Sequence, residues 1–210
     1  MEKKFELTDK FVFNTFGIKL FQIKCTKSFK YAKEGDLGGY VEKDENLDQE
    51  SNAWVSGNAQ VYGDAWVSGN AQVSGNAQVS GNAWVYGDAR VSGDAQVSGN
   101  AQVYGDAWVS GNAQVSGNAQ VSGNAWVSGN ADIENDNNHC GFDCFGSCNR
   151  HTHAYLTKDN KVEITCGCFR GSIEEFEKKV EKTHSGKIYE KQYKAIINAI
   201  KIKFGLTDLI

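Results

Sequence analysis

The sequence predicts a mainly β protein: a parallel β-helix of hexapeptide repeats with a small N-terminal β cap and a C-terminal ββαα domain. Three observations predict it. Alanine returns at every sixth position from Ala53 to Ala131. Valine returns in step from Val55 to Val127, and Ile133 closes a series of fourteen units without an insertion. Gly-Asn or Gly-Asp follows unit after unit, while the 210 residues hold no proline. A period of six over this length marks a solenoid, in which each unit leaves an apolar face that only its neighbours cover.

Within a unit, Ala-x-Val is a short alternation that turns alanine and valine to one side and the residue between them to the other. Glycine followed by Asn or Asp tolerates the positive φ of a corner. Three strand-and-corner sides make an 18-residue coil. Coils stacked at the strand spacing of roughly 4.8 Å give a body about 22 Å tall around a narrow core of valine and alanine. No helical period fits.

An aliphatic residue followed four positions later by a small one (Val55 then Ala59, Val61 then Ala65) resembles the hexapeptide-repeat family. That resemblance implies a left-handed β-helix and a homo-oligomer, a trimer or a dimer.

Outward positions sort into three faces at intervals of eighteen. The first carries Trp54, Gln72, Arg90, Trp108 and Trp126. The second is a glutamine ladder of Gln60, Gln78, Gln96 and Gln114, with Tyr62 beside it. The third carries Trp66, Trp84, Tyr86 and Tyr104, then Gln102 and Gln120. Stacked outward aromatics make an apolar patch that points to a subunit or ligand contact. The interface or ligand candidates are therefore Trp66, Trp84, Tyr86 and Tyr104, with Trp108 and Trp126. Duplication of one hexad would equally produce such regular faces.

Charge and composition exclude other classes. The net charge is -4 at pH 7, and the few charges inside the repeat include Asp64, Asp88, Asp94, Asp106 and Arg90. That is too weak for an electrostatic nucleic-acid binder and too sparse for a DNA mimic. No apolar run approaches the eighteen or so residues of a membrane span. The opening Met-Glu-Lys-Lys-Phe-Glu lacks the apolar core of a secretory signal, and six cysteines without one suit reduced thiols in a cytosol.

Residues 1–50 read as the cap. Phe11 and Phe13, then Phe21, Ile23 and Cys25, alternate as short strands around an Asn14-Thr15-Phe16-Gly17 turn. Such a cap covers the open end of a solenoid. Gly35-Asp36-Leu37-Gly38-Gly39-Tyr40-Val41 then leads into the first coil, with Leu47 as an early core residue. Lacking Gly-x-Gly-x-x-Gly spacing, the double glycine is not a phosphate loop. The run from Lys33 to Glu42, followed by Glu45-Asn46-Leu47, resembles the lead-in segment of hexapeptide-repeat proteins of phages and prophages.

Residues 51–134 form the β-helix, and residues 135–210 a Cys/His-rich unit. Cys140, Cys144, Cys148, Cys166 and Cys168 crowd into 29 positions, with His139, His151 and His153 among them. A strand pair is expected at 153–157 and 162–169. Ser172-Ile173-Glu174-Glu175 is a capping box for one helix, and a second runs over about 188–204. Gly146-Ser147-Cys148-Asn149, Gly167-Cys168-Phe169-Arg170-Gly171 and Thr183-His184 resemble a C-terminal domain found on phage and prophage proteins. That resemblance carries no settled activity. The polar candidates here are Arg150, His151, His153, Arg170 and His184.

Thiolate and imidazole ligands suit a structural zinc, for which the candidates are Cys140, Cys144, Cys148 and His151. Cysteines four apart lack the Cys-x-x-Cys knuckle, and no other cofactor is implied. Cys166 and Cys168, two apart beside Ile164, read as small buried hydrophobes on one strand face. A catalytic pair of Cys168 with His184 lacks a third orienting residue.

The leading expectation is a non-enzymatic, cytoplasmic binding protein of phage type. It would inhibit or sequester a host defence protein or its nucleotide signal. A structural or fibre element is the alternative. A hexapeptide acyltransferase is the second, although those enzymes use a histidine and a looped-out insertion that this repeat lacks.

Overall fold

The structure is a computed structural model that describes residues 3–206; Met1 and Glu2 of the opening segment and the last four residues of the C-terminal unit lie outside it. The repeat folds as a parallel β-solenoid of two-residue rungs, beginning with Trp54–Val55 and ending with Asp132–Ile133. Each rung pairs with the one eighteen residues on, as Arg90 with Trp108 and Val91 with Val109. The three faces follow from this register. Trp54, Gln72, Arg90, Trp108 and Trp126 share one sheet, Trp66, Trp84, Gln102 and Gln120 another, and the glutamine ladder the third.

Every repeat alanine and valine is buried, and together they form one continuous core. Rung amides donate to the coil above, as Trp54 N to the Ala71 carbonyl at 3.0 Å and Ser56 N to Val73 at 2.9 Å. Asn side chains repeat this outside the core: Asn82 Nδ2 donates to Asn100 Oδ1 at 3.0 Å, and Asn100 in turn to Asn118. Corner glycines have positive φ and lie almost touching the next coil. At Gly93 (φ +71°) an added Cβ would stand 3.0 Å from the Gly111 nitrogen.

The cap is an antiparallel meander of β1 (Phe5–Phe13), β2 (Lys19–Cys25) and β3 (Leu37–Val41). β3 pairs in parallel with the rung Gln60–Val61, so the meander extends the glutamine face. Leu47 bridges Val67 and is buried, as the sequence predicts. The double glycine serves close approach. A Cβ at Gly38 would meet the Ile23 side chain at 2.5 Å, and one at Gly39 the Ala59 carbonyl at 2.6 Å. Phe29 packs edge-on against Trp54 with ring centres 5.4 Å apart, which removes Trp54 from solvent. Lys4 is buried beside them and donates to the carbonyls of Asp48, Ser51 and Ala53.

The C-terminal unit has four antiparallel strands where the sequence suggested two. They are β4 (His139–Phe145), β5 (Arg150–Leu156), β6 (Val162–Cys166) and β7 (Phe169–Ser172), in sheet order. Gly167 in the left-handed region (φ +59°) turns the chain within the expected second strand. Cys166 is consequently buried and Cys168 exposed, so the two do not share a face. The capping box is present: Ser172 Oγ accepts from Glu175 N, and Glu175 Oε2 accepts from Ser172 N at 2.8 Å. Helices α1 (Ile173–His184) and α2 (Ile188–Lys203) bury Phe176, Val180, Tyr193, Ile196, Ile197 and Ile200 against Ala154, Ile164 and Cys166. The other side of the sheet covers the last coil. Thr165 Oγ1 donates to the Trp126 carbonyl at 2.8 Å and Lys158 N to the Asn130 carbonyl at 2.9 Å. Tyr155 enters the solenoid core itself.

Candidate binding cleft at the solenoid junction

Strand alternation divides β4. Cys140 and Phe142 pack with the helix-side core. His139, Gly141 and Asp143 fall on the opposite side, toward the last coil, by the period of two. A register shift between Phe142 and Phe145 and a tight turn at 146–149 then bend the chain, with Cys144 (φ 62°) and Asn149 (φ 47°) both in the left-handed region. Non-glycine residues rarely sit there, and such backbone collects at functional sites.

This bent hairpin, the Gly167 turn and the last coil enclose a cleft of about 400 Å³. Trp126 and Asn124 line it from the solenoid, and Asp143, Cys144, Cys148, Asn149, Arg150, His151, Thr165 and Gly167 from the sheet. Asp143 Oδ1 lies 2.6 Å from His151 Nδ1, which orients that imidazole. Arg150 lies across Gly167, where a Cβ would come 2.6 Å from its guanidinium. It is exposed and forms no ion pair among the described residues. Trp126 stacks on Trp108 with ring centres 5.2 Å apart and planes 4° from parallel, and its buried Nε1 has no hydrogen-bond partner.

Five sequence-nominated residues thus meet in one place: Trp126, Cys144, Cys148, Arg150 and His151. The others lie elsewhere. His153 is buried behind the cleft, its Nε2 2.9 Å from His139 Nδ1. Burial first, then the neighbouring imidazoles of His139 and His151, lower its pKa to about 3. Arg170 pairs with Glu163 at 2.6 Å and packs over the corner at Gly129. Its partner Glu163 also accepts from the Tyr155 hydroxyl at 2.7 Å, and burial raises that phenol. His184 stacks on Tyr193, ring centres 5.5 Å apart, and lines a separate hollow of about 90 Å³ with Arg150, Cys166 and Cys168. The Gly-Ser-x-Asn, Gly-Cys-Phe and Thr-His segments therefore converge around Arg150 and Tyr193.

The zinc candidates do not form one ligand set, although Cys144, Cys148 and His151 line the same cleft. Cys140 points to the helices, away from His151, while Cys144 and Cys148 stand exposed on the cleft rim. Among the described residues no three His, Cys, Asp or Glu side chains converge as a metal site. Asp143, Thr165 and Glu163 were not foreseen. The alternation of His139, Gly141 and Asp143 against Cys140 and Phe142 was the available signal for Asp143.

The aromatic candidates form three pairs. Trp66 and Trp84 meet edge to face at 5.8 Å and are 38 % and 46 % exposed. Tyr86 and Tyr104 stack at 5.0 Å. They sit at the corner after the third face and lean back onto it, each hydroxyl reaching a glutamine of the next coil (Gln102, Gln120). Trp108 and Trp126 make the pair on the first face.

A family model described as the YdcK beta-solenoid repeat matches residues 59–75, 71–87, 77–93, 83–99, 95–111, 101–117 and 119–131. All of these segments lie within the stacked rungs. No curated protein matches the chain. No helix among the described residues is long and apolar enough to cross a membrane. The repeat match and the stacked rungs together make this chain a repeat β-helix protein.

Proposed function

We propose that this is a non-enzymatic binding protein that holds a small, ring-bearing anion of the nucleotide class in the junction cleft. The observation that carries the reading is Arg150, an exposed guanidinium without a carboxylate partner among the described residues, lining the same cleft as the indole of Trp126. A guanidinium matches a phosphate with two parallel hydrogen bonds, and an indole offers a flat face to a base. The cleft volume of about 400 Å³ falls in the range of small-ligand sites. In the phage-type setting that the resemblance implies, this is sequestration of a host nucleotide signal in the cytosol. Acyl transfer is not supported, because the repeat offers no histidine.

Isothermal titration with adenosine monophosphate tests the reading. Wild type is expected to bind it more tightly than adenosine or inorganic phosphate alone, and Arg150→Gln to lose at least about tenfold, as for a charge-assisted pair. Absence of binding, or equal affinity in the variant, rejects it.

A second reading rests on the exposed Trp66 and Trp84 pair: the third face joins subunits into a dimer or trimer, or receives a partner protein. Rigid, outward aromatics suit such contacts.

A further inference from the structure

Three imidazoles stand in a row on the side of the C-terminal sheet that meets the last coil. His153 is central and 1 % exposed, with its ring centre 5.2 Å from that of His139 and 5.6 Å from that of His151. Carboxylates close both ends: Asp143 lies 2.6 Å from His151 Nδ1, and Asp136 3.6 Å from His139 Nε2. Gly141 pairs across the strands with His153 and makes room for the row, since a Cβ there would stand 2.7 Å from His151 Cε1.

The row is polar yet underbonded. His139 Nε2, His151 Nε2 and His153 Nδ1 are buried without hydrogen-bond partners. The Trp126 carbonyl, which accepts from Thr165, also lies near His153 and favours its charged form, against the larger effect of burial. From α2, Lys203 adds a positive charge near His139, and its ammonium donates to the Asp136 carbonyl at 3.2 Å. Tyr155, next along the strand, is engaged by Glu163, which Arg170 neutralises. Among the carboxylates of the described residues, the two at the ends are placed to compensate charge on the row. The ring nitrogens do not converge on a common centre, so a proton is the ion to which the arrangement responds.

We propose that this row is a proton-operated latch: neutral, it seats the C-terminal domain on the last coil; charged, it opens that junction while the rest of the solenoid stays folded. A second charge in the row would repel the first across about one ring spacing in a buried site. Burial also lowers His139, in the same direction as His153. An exposed imidazole takes its proton near pH 6.5. Between about 6.5 and 3 the opened junction therefore binds more protons than the closed one. Docking is complete above that window and weakens as pH falls through it. The solenoid rungs contain no histidine and have no such response.

Hydrogen exchange followed by mass spectrometry from pH 7.5 to 4.5, corrected for intrinsic rates, tests the latch on the full chain. Amides of 124–133 and 150–156 are expected to lose at least about tenfold protection by the acid end, while those of 77–103 keep theirs. The double variant His139→Gln, His151→Gln should make this response shallower, leaving the part that burial of His153 supplies. Asp143→Asn removes the anion that compensates charge on the row in the closed junction and should move the midpoint to higher pH. If the double variant is already open at pH 7.5, the Asp143→Asn shift decides. Uniform protection across both regions, or an unmoved Asp143→Asn midpoint, overturns the proposal.

Discussion

Thr165 Oγ1 donates a 2.8 Å hydrogen bond to the Trp126 carbonyl, and through it the C-terminal sheet completes the backbone bonding of the last coil. Further along the same contact, Lys158 serves the Asn130 and Asn112 carbonyls. A solenoid end is an open row of acceptors and donors, and here side chains such as Thr165 and Tyr155 and the loop amide of Lys158 meet it. Thr165→Val keeps the shape and removes this hydrogen bond from the partly buried carbonyl. It is expected to lower stability by about 1–3 kcal/mol, with Thr165→Ser recovering much of the loss. Urea denaturation of the three proteins measures this.

The alanines of the repeat mark where coils have no spare room. Ala95 is completely buried between valines of neighbouring rungs. Ala95→Leu should destabilise by about 1–3 kcal/mol or more through overpacking, and Ala95→Gly by less. Thermal unfolding followed by circular dichroism would show the order.

Replacing Trp84 and Tyr86 together by serine removes one member of each aromatic pair on the third face. The fold should lose about 1 kcal/mol or less, because Trp84 is 46 % exposed and Tyr86 only partly covered. If the face joins subunits, light scattering after size exclusion will report a smaller particle at the same concentration. An unchanged mass with unchanged unfolding leaves the pair as plain surface.

Lys4 links the cap to pH. Burial lowers its ammonium pKa to about 8 from the usual 10.5, with Asp48 opposing the change. Between those values the unfolded chain binds the extra proton, so this residue makes stability rise with pH through the window and level off below it. The difference in stability between wild type and Lys4→Met, measured from pH 7.5 to 10.5, should increase with pH in favour of wild type. A flat difference would contradict the assignment.

The body of the fold was legible because one period does everything there: alternation sets the faces, glycine sets the corners, and eighteen residues set the register. Leu47 and the Ser172–Glu175 cap were legible for the same reason, since each rests on local pattern. β4 was not. Its inward residues, His139, Gly141 and Asp143, are polar or lack a side chain because they face the polar backbone of a coil end. The strand therefore shows no apolar alternation on that side. The Asp143–His151 contact depends on a register shift that follows no sequence rule, and the position of Arg150 depends on the turn at Gly167. Trp126, Cys144, Cys148, Arg150 and His151 are nominated by residue type alone, whereas their meeting in one cleft is tertiary.

Native mass spectrometry of the protein purified from cells, with wild type beside Arg150→Gln, tests the central claim most directly. The account predicts wild-type subunits carrying an added mass of nucleotide size, absent from the variant. Bare polypeptide masses in both proteins, with adenosine monophosphate added at millimolar concentration, would contradict it.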